Sequence, residues 1–455
     1  MPADSIPPAE AAVYDALVLG GGPAGAAAAL TLARAGRRVA VLEKQAFPRF
    51  HVGESLIPQD MQCFADLGLL DELRRLPHYK KTGVEFALGD ASAQHRIKFA
   101  QSLVPHPHET FNLERAALDQ AMLAAAARAG VHVRHHAKVT EFLNLDDGDV
   151  RVRLADGQTC AGRYLIDATG QASLLGRHLK TRRNFDGPAF QKIAYFGHYQ
   201  HVDRRNALGD HDITMVLCDE GWFWMIPLDE TRTSVGMVLD AAVARAVRTP
   251  SHQMLAWGIA RCPLIRDRVR HATPPDRNRV ASDFSYRCAP YAGPGYFLVG
   301  DAATFLDPVF STGIFLGLEG AQHAAHQIDD LLARRSSPAR AQRQHHRFLH
   351  AGTRTFFKLI RAYYNPRFRD LFLQGRGPLE MHRAVIAVLA GQVFPRPAWR
   401  IRWRMRLFYA CVAAQRFLPL VPRRPGFSLL RTPPEPASPR PRRRARSLAS
   451  PAPAG

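Results

Sequence analysis

The chain has 455 residues, 46% of them apolar, and a formal net charge of +21. That length and apolar content suit a large composite domain or two to three smaller units with a substantial buried core. Thirteen of the 21 net charges lie in the last 65 residues, so the excess marks one end of the chain rather than a nucleic-acid-binding body, and no nucleic-acid partner is expected. Six cysteines (Cys63, Cys160, Cys218, Cys262, Cys288, Cys411) form no CxxC pair, which argues against a disulfide framework or a zinc site.

The first residues, MPADSIPPAE, lack the basic and apolar regions of a signal peptide. The apolar run from Ala384 to Ala390, continuing to Phe394, falls short of the roughly 20 residues that a membrane-crossing helix needs. A cytoplasmic location is expected, and the basic C-terminal part leaves peripheral contact with the inner membrane surface open.

Residues 14 to 44 read as strand, glycine-rich turn, helix and strand, a βαβ unit. A helix follows from Glu114 to Ala129, then strands at Val131–His135, Glu141–Leu145, Val150–Leu154 and Tyr164–Ile166, with Gly157 marking a hairpin. Between about 185 and 282 the alternation changes to strands such as Ile193–Tyr199, Ile213–Leu217 and Thr233–Leu239. A buried strand at 297–301 then leads through a Pro, Ser and Gly loop into a helix from about Ile314 past Leu331. Residues 340 to 420 read as helical and rich in aromatics. From 421 the chain is Pro, Arg and Ser rich with little to pack, and disorder is expected.

Within the βαβ unit, Gly20, Gly22 and Gly25 with Pro23 and Ala24 give G-x-G-x-x-G directly after a strand and at the start of a helix. Glycines there permit a tight turn and let backbone amides approach a pyrophosphate at the helix N-terminus. Glu43, followed by Lys44, closes the second strand where an acid would hold a ribose hydroxyl. The fingerprint alone fits NAD or FAD. Asp167 in Ile166-Asp167-Ala168-Thr169-Gly170, and Gly300 and Asp301 in Gly300-Asp301-Ala302-Ala303, resemble the paired signatures of two-domain FAD oxidoreductases of the aromatic hydroxylase class. That resemblance places Asp301 near the cofactor's ribityl and pyrophosphate region, with a helix N-cap as its alternative role. It places Arg115 against the cofactor, with a helix-surface salt bridge as the alternative.

Three further segments carry a narrower resemblance, spanning about residues 14 to 380. Phe47-Pro48-Arg49-Phe50-His51-Val52-Gly53-Glu54-Ser55-Leu56 is similar to the PRxHVGES segment of the FADH2-dependent halogenases. Trp222-Phe223-Trp224-Met225-Ile226-Pro227 satisfies their W-x-W-x-I-P pattern in a chain with only five tryptophans. Phe305-Leu306-Asp307-Pro308-Val309-Phe310-Ser311-Thr312-Gly313 matches F-x-x-P-x-x-S-x-G.

The resemblance implies an α/β fold, with a Rossmann-type FAD-binding domain at 12–182 and 283–335 and a β-sheet substrate domain at 183–282. A helical C-terminal region at 336–420 and a disordered basic tail at 421–455 complete it. Gly53, Glu54 and Ser55 would pass beside the flavin, and Trp222, Trp224 and Pro227 would wall it from the substrate. Thr312 and Gly313 would offer halide a helix N-terminus, and Ser311 before them would be catalytic together with Lys81. Lys81, in Lys81-Thr82-Gly83-Val84-Glu85-Phe86, would direct hypohalous acid, with Lys80 as the alternative.

One departure narrows the substrate. Where the tryptophan-type enzymes have glutamate in P-x-E-S-T-G, this chain has Phe310. A phenol, a pyrrole or a carrier-bound aromatic is therefore expected, with FADH2 delivered by a separate reductase. An FAD monooxygenase, an isoprenoid-type FAD reductase and, from another class, a non-catalytic flavoprotein or membrane-bound assembly factor are the alternatives. Metal is not expected: there is no H-E-x-x-H, and His345, His346 and His350 fall in a polar helical stretch where solvent is the expected partner. For the basic stretch 399–418, three roles stand open: a helix packed on the body, a membrane-surface contact, or a dock for an acidic acyl carrier protein.

Overall fold

The computed structural model describes residues 13–187, 190–204 and 212–433. Its organising element is a mixed sheet whose central strands are parallel. Tyr14–Leu19 lies between Thr159–Asp167 and Val39–Leu42, flanked in turn by Tyr296–Leu298 and His132–Arg134. Continuous apolar runs form these strands because helices cover them. The helix Pro23–Arg34, with proline in its first turn, packs on Gly313–Leu332, where the Ala24 methyl lies only 3.3 Å from the place a Cβ on Gly317 would take.

Register decides where the site forms. Leu19 pairs with both Asp167 and Leu42, and Asp167 pairs with Leu298. The ends of these strands are therefore level, and the turn at Gly20, the loop after Asp167 and the Gly300 segment converge on one edge, the usual ligand edge of such sheets. A Cβ on Gly20 would stand 2.6 Å from the carbonyl oxygen of Ala168, so this convergence needs glycine.

A second, seven-stranded sheet runs in the order Arg279–Phe284, Gln191–Gln200, Arg232–Asp240, Gly221–Pro227, Ile213–Cys218, Gly83–Leu88, Gln94–Lys98. Its last two strands come from before residue 100, and Gly83–Leu88 joins Ile213–Cys218 in parallel. The contiguous substrate domain expected at 183–282 thus lacks two of the strands that complete its sheet. Each is short, and hydrophobic alternation reports a strand but not its partner.

Helices Pro338–Tyr363, Pro366–Phe372, Met381–Leu389 and Trp399–Ala414 follow. The expectation of an unpacked chain from 421 does not hold through 433. Phe427 and Leu429 are buried, and the buried Glu220 carboxylate accepts from the amides of Leu429 (2.8 Å) and Leu430 (3.4 Å) and from the Ser428 hydroxyl. Composition missed this because a single acceptor in a turn 200 residues away supplies the anchor. Residues 434–455 lie outside the described residues.

His345 also departs from the expectation of a solvent partner. It is fully buried, its Nε2 donating to the Leu298 carbonyl at 2.9 Å, and burial pulls its pKa down to about 3. Among the described residues, no helix is long and apolar enough to cross a membrane, and no group of three or more His, Cys, Asp or Glu side chains could hold a metal.

Candidate active site

The glycine turn opens toward the guanidinium of Arg49, and the Gly53 segment toward that of Arg115. A Cβ on Gly22 would meet only Arg49, at 3.5 Å, and one on Gly53 only Arg115, at 3.1 Å. Arg115 is held by the Asp119 carboxylate (2.9 and 3.2 Å) and by the Val52 carbonyl (2.9 Å), while Arg49 reaches the same Asp119 at 3.5 Å. The Arg49 Nε is buried with no protein acceptor. Amides and cations around an open glycine face suit a pyrophosphate, so these residues fit a dinucleotide such as FAD. For Arg115 the salt bridge forms, to Asp119, but buried rather than on the helix surface, with the guanidinium facing Gly53.

Glu43 is buried just past its strand. Its carboxylate accepts from the amides of Gly21 (2.7 Å) and Gln45 (2.9 Å), which ties the turn shut and leaves lone pairs for a ribose hydroxyl. Lys44 beside it is exposed. Asp167 is buried with its oxygens engaged by Thr169 and by the Leu175 amide, so it shapes the loop beneath Gly20. Asp301 follows Gly300, which takes φ +57°, and its Oδ1 lies 3.8 Å from where a Cβ on Gly313 would be. That places the carboxylate beside the first turn of the helix Gly313–Leu332. Ser311, at φ 56° and ψ 33°, turns the chain into that helix, and Thr312 is buried at its N-cap. Phe310 is buried edge-on to Tyr363, with ring centroids 5.4 Å apart.

Trp222 and Trp224 share one face of Gly221–Pro227, their rings 5.7 Å apart, as alternate strand positions must. Each indole N–H has a partner. Trp222 donates to Tyr364, whose hydroxyl donates to Asp307 at 2.6 Å, and Trp224 donates to Ser234. Pro227 ends the strand opposite Thr233. On the same face, His198 meets the buried Glu54 at 2.5 Å. Burial opposes a charge on His198, but the Glu54 carboxylate outweighs it and holds its pKa above the ordinary value. His198 lay outside the motifs because its partner is 144 residues away.

The strand His78–Lys81 separates the two lysines. Lys80 faces out and pairs with Glu109, whereas Lys81 is 1% exposed. The Lys81 Nζ donates to Ser55 Oγ (3.0 Å) and to the Leu56 carbonyl (2.8 Å). Burial draws its pKa down to about 7, against the pull of Asp212 and Asp60. Asp60 is wholly buried. Its Oδ2 accepts from the Ile57 amide at 2.7 Å, its Oδ1 has no partner, and burial lifts its pKa to about 7. Neither acid carried a motif, although Pro58-Gln59-Asp60 at a helix start is a readable capping signal.

The FAD binding domain family matches residues 13–354. A 1H-pyrrole-2-carbonyl-[peptidyl-carrier protein] chlorinase of Pseudomonas fluorescens is 26% identical over 88% of the chain and 94% of its own length. A tryptophan 2-halogenase of Chondromyces crocatus is 32% identical over 70% of the chain and 61% of its own length. A 1H-pyrrole-2-carbonyl-[peptidyl-carrier protein] brominase of Pseudoalteromonas luteoviolacea is 30% identical over 69% of the chain and 77% of its own length. Among solved structures, a flavin-dependent brominase superposes with a TM-score of 0.76 at 26% identity, covering 88% of the chain and 99% of the brominase.

Proposed function

We propose, from the premise that the chain belongs to the FAD-binding flavin-dependent halogenases, that Lys81 delivers halogen to a carrier-bound, pyrrole-type aromatic ring. The chain is an FAD-dependent oxidoreductase that halogenates. Bound FAD, reduced by a separate reductase, would activate O2, whose four-electron reduction draws two electrons from the flavin and two from halide and leaves hypohalous acid and water. The Gly20–Gly25 turn, Glu43, Arg49 and Arg115 would bind it, with Gly53, Ser55 and Asp301 alongside. The first turn at Ser311, Thr312 and Gly313 would hold halide. Trp222, Trp224 and Pro227 would keep the ring away from the flavin, so that only a small oxidant passes.

The observation that carries this reading is Lys81: an amine buried beyond solvent, held by the Ser55 hydroxyl and a carbonyl of the adjoining segment. With its pKa near 7, a large share of Lys81 is neutral at neutral pH. The neutral amine takes halogen from hypohalous acid: an N–X bond forms, the O–X bond breaks, and an amine proton leaves with the hydroxyl as water. The ring then takes the halogen while the nitrogen recovers a proton as the ring loses one. The substrate class is supported by the names of two relatives and by Phe310 standing in place of a glutamate. A pyrrole or phenol is activated enough to need less help losing its proton.

The test is mass spectrometry of products from purified protein with FAD, a flavin reductase, NADH, halide, and free or carrier-loaded pyrrole and phenol. A halogen isotope pattern that falls at least about 100-fold in Lys81→Ala, with FAD content unchanged, is expected. Products that gain only oxygen, in both proteins, would assign hydroxylase chemistry and remove Lys81's role.

A further inference from the structure

The helix Trp399–Ala414 buries Ile401, Met405, Phe408 and Val412 against the body and turns another stripe to solvent. That outer stripe runs Trp399, Arg402, Arg406, Ala410 and Ala413, at helical spacings of three and four, and continues to Phe417 just past the helix end. Trp399 is 66% and Phe417 81% exposed. No Asp or Glu occurs anywhere between 391 and 420. The face therefore carries two aromatic anchors about 25 Å apart, cations between them, and small residues where a partner backbone can approach closely.

We infer that this stripe is the docking surface for an acidic carrier domain that brings the substrate. The inference rests on the carrier-bound reading above. Charge complementarity selects an acidic partner. A membrane is disfavoured by the layout: a helix lying in a bilayer surface turns its continuous apolar stripe outward, and here that stripe faces the core. Position links the dock to the chemistry. The helix packs on Met381–Leu389, whose Arg383 binds the carbonyls of Gln101 and Ser102, and the neighbouring Phe99 ring lies 5.5 Å from the Lys81 Nζ. The surface that receives the carrier and the lysine that receives the ring are thus separated by one helix and one short turn.

The test uses the full chain with FAD and a phosphopantetheinylated acidic carrier domain loaded with pyrrole-2-carbonyl. Arg402→Glu/Arg406→Glu, at exposed positions, is expected to weaken carrier binding at least 10-fold and to slow halogenation of the loaded carrier in parallel. Turnover of a free phenol should stay within 2-fold, and Arg402→Lys/Arg406→Lys should retain most of the binding. Wild-type binding should also weaken with added salt. Equal carrier affinity in wild type and the charge-reversed variant would overturn the docking surface while leaving carrier-bound halogenation intact. A wild type that halogenates free aromatics but neither binds nor halogenates the loaded carrier would instead overturn the carrier-bound reading, and the dock with it. Binding to phosphatidylglycerol vesicles that is lost in the variant, with carrier affinity unchanged, would assign the stripe to a membrane.

Discussion

At the scale of single residues, burial of Lys81 makes both activity and stability depend on pH near neutrality. Its pKa lies near 7 in the folded chain against 10.5 for an ordinary lysine. Between those values the unfolded chain binds a proton that the folded chain does not, so this group's contribution to stability rises with pH across that window, and its cost is full below about 7. Lys81→Met should therefore stabilise the protein at pH 6 by about 1–3 kcal/mol, with the gain shrinking toward pH 10, as read from denaturant midpoints. The rate of the halogenation step should rise between pH 6 and 8. A rate that falls instead would mean that the ammonium, hydrogen-bonded to hypohalous acid, is the working form. Asp60 pulls the Lys81 pKa upward, so Asp60→Asn should move the rising limb to lower pH, and an unmoved limb would deny the two groups any coupling. Arg49, with a buried unpartnered Nε and a terminal guanidinium nitrogen against Gly22, should weaken FAD retention about 10-fold or more when changed to alanine, measured by flavin fluorescence on dilution.

Elements were legible in the sequence where period and punctuation agreed. The expected helix Glu114–Ala129 is Arg115–Arg128, and the expected strand Thr233–Leu239 is Arg232–Asp240. The glycine turn was readable because its chemistry is local: a Cβ on Gly25 would sit 1.9 Å from the Gly20 carbonyl, so Gly25→Ala should leave an expressed protein without FAD, seen as loss of flavin absorbance. What stayed hidden was whatever depends on a partner far along the chain. His345 reads as a polar helix residue until Leu298 and His323 are beside it. Phe427–Leu429 reads as tail until Glu220 receives it. Glu220→Ala strands the amides of Leu429 and Leu430 and should cost about 2–3 kcal/mol, with trypsin then cutting at Arg423 or Arg424. Cleavage no faster than in wild type would show that Phe427 alone suffices to hold the segment.

At the scale of the whole molecule, the sheet behind the glycine turn and the seven-stranded sheet share one chain without dividing it. The segment carrying Lys81 leaves the glycine-turn domain, lends two strands to the other sheet, and returns at Thr110–Leu113, which pairs with His78–Lys81. Gly83–Leu88 meets Ile213–Cys218 across 129 positions, so the second sheet closes only after most of the chain exists. Recombination breakpoints placed at 183 and 282 would move four whole strands of the seven, cut through Arg279–Phe284, and leave Gly83–Leu88 and Gln94–Lys98 behind. That sheet cannot then be exchanged between relatives as a single cassette. A working chimera must carry residues 83–98 together with 191–284, and a one-segment swap leaves two mismatched strand edges as sites for aggregation.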